Sequence, residues 1–183
     1  SETFGKKIVL VGAPVDSGKR RRGCLMGPDC YRTAGLSEAL SALGHDVTDM
    51  GNITPRRFIA ESTERGIYAL DETIAWTEAL KDAAEVAMQT GLPIFLGGDH
   101  ALSLGSVAGV AAFAARRNQP QFVLWLDAHS DFHTPLTTES GHLHGTPLAY
   151  VTGRDGFTGF PKVDAPIPEA NICIIGLRSV DGA

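Results

Sequence analysis

The sequence predicts an α/β fold, a doubly wound parallel sheet with helices on both faces in a three-layer α/β/α arrangement. Two observations predict it. Short apolar runs alternate with longer amphipathic stretches in the order β-α-β-α-β-α-β, which favours parallel strands joined by right-handed crossovers. Several of the apolar runs also lack polar alternation, as strands buried on both faces do. One domain of residues 1–183 is expected, and its carboxyl end looks unfinished because no covering helix follows the last predicted strand.

The first predicted elements are a strand, a long loop and a helix. Residues 7–12 form an apolar run that ends at Gly-Ala-Pro, the pattern of a central strand entering a loop. The loop contains the cluster Lys19–Arg22, which is interpreted as solvated or, alternatively, as an anion or subunit contact. Pro28 suits the first turn of a helix that is expected to continue to Gly44.

The remaining elements follow the same alternation. Gly91 ends a long amphipathic helix that begins near Ala69, and the apolar run Phe122–Leu126 is predicted to be a fully buried strand. The other predicted elements are a strand at 45–50, a polar loop at 51–66, a strand at 93–96, a helix at about 103–117, a short helix near 146–151, a Gly/Pro-rich excursion at 153–168 and a last strand at 171–176.

Composition excludes several classes of function. Acidic residues exceed basic residues by 21 to 16, so the chain lacks the basic surface of a nucleic-acid-binding protein. No apolar segment approaches the ~20 residues that span a bilayer, so no membrane segment is expected. Three cysteines without a C-x-x-C pair, and a start without the regions of a signal peptide, favour reduced thiols and a cytoplasmic location.

Candidate metal ligands follow two of the predicted strands. His100 ends the motif Gly-Gly-Asp-His, and Asp127, His129 and Asp131 alternate directly after the strand that ends at Leu126. In an extended backbone those three side chains would point the same way, ~6.6 Å apart. The two strands are expected to be adjacent, so that all four side chains reach one crevice at the carboxyl ends of the sheet. The alternative is that the aspartates cap a turn and the histidine packs.

The ligand types indicate the metal and the chemistry. Carboxylates and imidazoles without thiolates favour Mn²⁺ over Zn²⁺ or Fe²⁺. Two aspartates in one small site suggest two ions, which can present hydroxide as a nucleophile at neutral pH and so imply hydrolysis. The loop at 134–145 adds hydroxyls and the histidines His142 and His144, which suit a polar substrate and proton transfer. For His133, His142 and His144 a structural role remains the alternative.

At these residues the sequence resembles the ureohydrolase family and, within it, the arginases. The resemblance covers almost the whole chain and includes, in order, Gly12-Ala-Pro14, Gly27-Pro28, Gly97-Gly-Asp-His100, Asp127-Ala-His-Ser-Asp131, Thr134-Pro-Leu-Thr-Thr-Glu-Ser-Gly141 and Leu143-His-Gly145. It implies two Mn²⁺ per subunit in the complete enzyme. His100 and Asp131 would hold one ion, His129 would hold the other, and Asp127 would bridge them.

The resemblance also implies a reaction, the hydrolysis of L-arginine to L-ornithine and urea by a homotrimer or homohexamer. His144 would match the family's proton-shuttling histidine, and Thr137, Thr138 and Ser140 would match the loop that reads the α-amino and α-carboxylate groups. His133 and His142 would also bind substrate, although they stand where arginases commonly have asparagine. The alternatives are an agmatinase or guanidinobutyrase acting on another guanidino compound, and a non-catalytic fragment or pseudoenzyme that serves as a binding module.

No second Asp-x-Asp motif follows Asp131, although the family has a second aspartate pair and a substrate-contacting glutamate in its later half. The chain is therefore expected to be the amino-terminal portion of an arginase.

Overall fold

The computed structural model describes residues 5–179, which contain seven strands and five α-helices. In chain order these are β1 (Lys7–Ala13), α1 (Gly27–Thr33), α2 (Leu36–Ala42), β2 (Asp46–Asn52), β3 (Thr63–Glu64), β4 (Ile67–Tyr68), α3 (Leu70–Thr90), β5 (Leu92–Gly97), α4 (Leu102–Arg116), β6 (Val123–Leu126), α5 (Pro147–Val151) and β7 (Ile172–Ile175). Single 3₁₀ turns occur at Leu143–Gly145 and Glu169–Asn171.

The first sheet is parallel, in the order β2-β1-β5, and helices cover both of its faces. Side chains of β1 alternate between those faces because successive residues of a strand point in opposite directions. Val9 and Val11 pack towards α3, whereas Ile8 and Leu10 belong to a cluster that includes Leu36 of α2. The predicted doubly wound, three-layer arrangement is therefore confirmed in this sheet.

The second sheet is the parallel pair β6–β7, which is covered on one face only. Trp125 packs into the main core with residues of α4 and α5. Leu124 and Leu126, on the opposite face, are 61% and 72% exposed, and Ile175 beside them is also exposed. The prediction that Phe122–Leu126 is fully buried is thus wrong, because nothing among residues 5–179 covers this face.

The strands that precede the two metal motifs are not neighbours, contrary to prediction. β5 is hydrogen-bonded to β1 and β6 to β7, so the two strands belong to different sheets. An apolar cleft of about 250 Å³ lies between them and is lined in part by Phe95 of β5, Val107 of α4 and Leu124 of β6. Helix α4 connects β5 to β6 and packs against the long helix α3.

Two local predictions were also wrong. The helix expected from Pro28 to Gly44 is two helices, because Gly35 adopts a left-handed conformation (φ 84°) that a continuous helix cannot contain. The polar loop after Gly51 ends in a short antiparallel hairpin, β3–β4, whose Tyr68 is buried.

All three cysteines are free thiols, as predicted: Cys24, Cys30 and Cys173. Within the described part of the chain, no helix combines the length and the apolar character needed to cross a membrane.

Candidate metal centre

The turn after β5 brings His100 to the carboxyl end of the first sheet. Gly98 has a φ of +46°, and a side chain there would collide with the backbone of Val15, so only glycine suits this position. Asp99 is buried and accepts hydrogen bonds from the backbone N–H groups of Gly18 and Ala101, each at 2.8 Å. Burial raises the pKa of Asp99, and these hydrogen bonds only partly oppose that shift. Asp99 therefore fixes the turn that presents His100.

Asp127 and Asp131 converge on His100. Oδ2 of each aspartate lies 3.0 Å from His100 Nδ1. The predicted extended spacing is wrong, because β6 ends at Leu126 and Asp131 adopts a left-handed conformation with φ 51°. This turn moves Asp131 back towards Asp127, so that one ligand atom from each of the three residues lies within 4.8 Å of the others.

His129 joins this group through Asp127. Its Nδ1 lies 3.4 Å from Asp127 Oδ1, and its backbone N–H donates a hydrogen bond to the same oxygen at 3.0 Å. The His129 side chain is largely exposed, unlike that of Asp131. Asp127 thus faces His100 with one carboxylate oxygen and His129 with the other, the arrangement that a bridging ligand needs.

The three converging side chains fit a divalent cation. Asp131 Oδ2 is buried and receives no aligned hydrogen bond from residues 5–179, although His100 Nδ1 is close to it. A buried carboxylate oxygen without a donor is costly unless a cation lies nearby. Burial lowers the pKa of His100, but Asp131 and Asp127 raise it by more, so the net pKa lies above its ordinary value. The cluster already attracts a proton, as a cation site does.

His144 and His142 line the same cleft. Leu143, fully buried, anchors the 3₁₀ turn that carries His144, and the His144 N–H donates to the Gly18 carbonyl at 3.1 Å. Burial lowers the pKa of both imidazoles; for His142 the neighbouring His144 and Arg20 lower it further. The two rings lie 5.7 Å apart, and the lowered pKa of each favours its neutral form.

The predicted substrate loop is a compact turn. The Thr137 hydroxyl lies 3.2 Å from His133 Nδ1 and accepts the Thr134 N–H at 2.9 Å. Ser140 Oγ accepts the N–H of His142 at 3.2 Å and lies 3.4 Å from the Thr138 hydroxyl. These bonds hold the hydroxyls in fixed positions at the edge of the cleft.

One cleft of about 600 Å³ contains all ten predicted site residues. These are His100, Asp127, His129, Asp131, His133, Thr137, Thr138, Ser140, His142 and His144. Their individual roles remain predictions. Ser130, Glu139 and Gly145 also line the cleft and were not predicted.

The interpretation of residues 19–22, hereafter the basic loop, as solvated did not predict a contact with the cleft. Arg20 donates to the Ser140 carbonyl at 3.2 Å and so lies against the cleft rather than in bulk solvent alone. The only sequence signal was the run of positive charge, which is also typical of a solvated loop.

Comparison with known proteins gives concordant matches. The profile of the arginase family matches residues 6–183. The arginase of Brucella melitensis is 52% identical over 176 residues, which are 95% of this chain and 58% of that protein. The solved arginase of Bacillus caldovelox superposes with a TM-score of 0.79 at 35% identity, covering 96% of this chain and 59% of the other. An Entamoeba histolytica arginase solved with L-ornithine gives a TM-score of 0.80 at 28% identity over 97% and 60% of the two chains. The chain thus spans somewhat under two thirds of the length of these relatives.

Proposed function

The chain belongs to the arginase family, and we propose that the whole protein to which it contributes hydrolyses L-arginine to L-ornithine and urea at a binuclear manganese centre. One observation carries the proposal: His100, Asp127 and Asp131 converge at one place in a cleft. Thr137, Thr138 and Ser140 line the same cleft. A metal cluster and a polar binding surface in the same cavity suit hydrolysis of a small polar substrate.

The proposed ligand set takes the roles that the resemblance to arginases implies, and the close approach of these side chains supports it. His100 and Asp131 would hold one Mn²⁺, His129 would hold the other, and Asp127 would bridge them. Oxygen and imidazole donors without a thiolate support manganese over softer ions. When bound, such a pair of ions supplies a hydroxide nucleophile from water near neutral pH.

His144 is proposed to transfer a proton to the departing amine. Its pKa is lowered by burial, so at neutral pH the imidazole is uncharged and can accept a proton from solvent before passing it on. The hydrogen bond from its backbone to Gly18 fixes the turn on which it stands. His144 needs no metal contact for this role.

The loop at 134–141 is proposed to bind the amino-acid end of the substrate. Thr137, Thr138 and Ser140 present hydroxyls, and His133 and His142 present imidazoles where arginases commonly have amides. A neutral imidazole retains one N–H donor and can replace an amide in a hydrogen bond to a carboxylate. The lowered pKa of His142 supports this neutral form.

The two imidazoles also motivate the second candidate, an agmatinase or guanidinobutyrase, because they change the surface that would read the α-carboxylate. Urea release from L-arginine and from agmatine by the whole, manganese-loaded protein separates the two. We expect arginine to be preferred by at least ~10²-fold in kcat/KM, since polar groups built to bind the amino-acid end are left unpaired by agmatine. Equal values would favour the second candidate.

Family membership further supports a cytoplasmic homotrimer or homohexamer that acts in arginine metabolism. Sedimentation of the whole protein at several concentrations tests the assembly, and a stable monomer would contradict it.

A further inference from the structure

The three arginines of the basic loop differ in what they contact. Arg22 forms ion pairs with the buried Glu72 at 3.5 Å and with Glu61 at 3.3 Å. Arg21 is exposed and forms no hydrogen bond or ion pair with another residue in the described range. Arg20 lies against the substrate loop. Three adjacent residues of the same type therefore have three different environments, and of the three only Arg20 makes a hydrogen-bond contact with residues that line the cleft.

The backbone of the basic loop is fixed on both sides. Before it, the Gly18 N–H donates to the buried carboxylate of Asp99, and the Gly18 carbonyl accepts the N–H of His144. After it, the buried carboxylate of Asp16 accepts the N–H of Gly23 at 3.1 and 3.3 Å. Arg20 thus extends from a backbone that is tied directly to the candidate active site.

The guanidinium of Arg20 is oriented by three contacts. Nη1 donates to the Ser140 carbonyl at 3.2 Å and lies 3.4 Å from His142 Nε2. The guanidinium carbon lies 5.3 Å from the centroid of the Tyr68 ring, a cation–π distance. Nε and Nη2 make no hydrogen bond within residues 5–179, and no carboxylate in that range pairs with Arg20.

The unused side of Arg20 is the part that binds anions best. The Nε and Nη2 N–H groups point in parallel, and their spacing matches the two oxygens of a carboxylate. Arg20 has no acidic partner within residues 5–179 and lies beside the cleft, so this edge is suited to bind an anionic group of the substrate.

We propose that Arg20 is a substrate-binding residue that receives the carboxylate at the end of the substrate remote from the guanidino group. The inference rests on the proposed function, because it takes the cleft to be the substrate site. Ser140 and His142, which Arg20 contacts, line that cleft together with the metal cluster.

Steady-state kinetics of the whole protein test the proposal, with Arg21→Ala as the matched control of equal charge. Arg20→Ala is expected to raise KM for L-arginine about tenfold, the modest size expected for an exposed charged contact, while kcat changes less than about twofold. KM for agmatine, which has no carboxylate, should not change. Arg20→Lys should restore part of the loss, and Arg21→Ala should alter neither substrate. An equal rise in KM for both substrates, or no rise for arginine, would overturn the proposal.

Calorimetric binding of L-ornithine and of 1,4-diaminobutane separates this inference from the reaction itself. Arg20→Ala should weaken L-ornithine binding about tenfold and leave the diamine unaffected. If the parent protein released no urea but still showed this difference, the proposed reaction would be wrong and the role of Arg20 would stand. If the parent bound neither compound, or Arg20→Ala did not affect ornithine, the role of Arg20 would be wrong.

Discussion

The two parallel sheets differ in how they are covered. In β2-β1-β5, Ile8 and Leu10 face one helical layer and Val9 and Val11 face the other, so β1 is buried on both sides. In β6–β7, one face packs on the core and the other leaves Leu124 exposed. Both sheets have the same parallel pairing. The difference therefore lies in what covers the strands and not in how the strands pair.

The candidate metal centre lies where these two regions meet. His100 comes from the covered sheet, and Asp127, His129 and Asp131 follow the half-covered one. The covered side fixes His100 through buried hydrogen bonds, whereas His129 is largely exposed. The described residues therefore hold His100, on the covered side, more firmly than the exposed side chain of His129.

The largest effect is expected from substitution of Asp127, which contacts both His100 and His129. Asp127→Ala in the whole protein should abolish tight metal binding, because a bridging carboxylate serves both ions and its removal leaves two cations facing each other. His129→Ala should leave about one ion per subunit. Elemental analysis of the purified proteins gives the metal content. Two Mn²⁺ per subunit in both variants would show that these ligand roles are wrong.

Matched leucine substitutions test whether the two sheets are covered differently. In the 183-residue chain, Leu10→Ala should lower the free energy of unfolding by about 2–5 kcal/mol, because it opens a cavity in a fully buried site. Leu124→Ala should cost less than about 0.5 kcal/mol, because its side chain is already exposed. Urea denaturation measures both.

The same pair in the whole protein shows whether the open face is covered there. A cost for Leu124→Ala that rises to about 2 kcal/mol would mean that it is. Equal costs for the two substitutions in the 183-residue chain would contradict the difference between the sheets.

The smallest effect concerns pH and the metal-free cluster. The pKa of His100 lies above its ordinary value, so protonated His100 stabilises the metal-free fold below that ordinary value, and this contribution is lost as pH rises through the raised pKa. A metal must displace the same proton. Apparent Mn²⁺ affinity should therefore increase about tenfold per pH unit below that pKa and level off above it. Mn²⁺ titrations between pH 5 and 9 measure this pH dependence. An affinity independent of pH would show that His100 is not a metal ligand.

Much of the fold and site could be predicted because the signals are local. The apolar runs marked β1, β5, β6 and β7, and the ligand motifs marked the cleft. The exposure of Leu124 and Leu126 could not be predicted, since it depends on what covers a strand and not on the strand itself. The contact of Arg20 with Ser140 could not be predicted because it joins residues 120 positions apart. The left-handed turn at Asp131 was missed because that conformation is uncommon outside glycine.

Manganese binding and urea release by residues 1–183 alone test most directly whether this chain supplies a complete metal centre. With four candidate ligands, two of them carboxylates, the chain supplies too little negative charge to hold two divalent ions a few ångströms apart, where even unit charges at ~4 Å repel by about 4 kcal/mol at an effective dielectric of ~20. We expect at most one weakly bound ion and no measurable urea from L-arginine in excess Mn²⁺. Two tightly bound ions and robust turnover by a monodisperse 183-residue protein would show that these four ligands are sufficient.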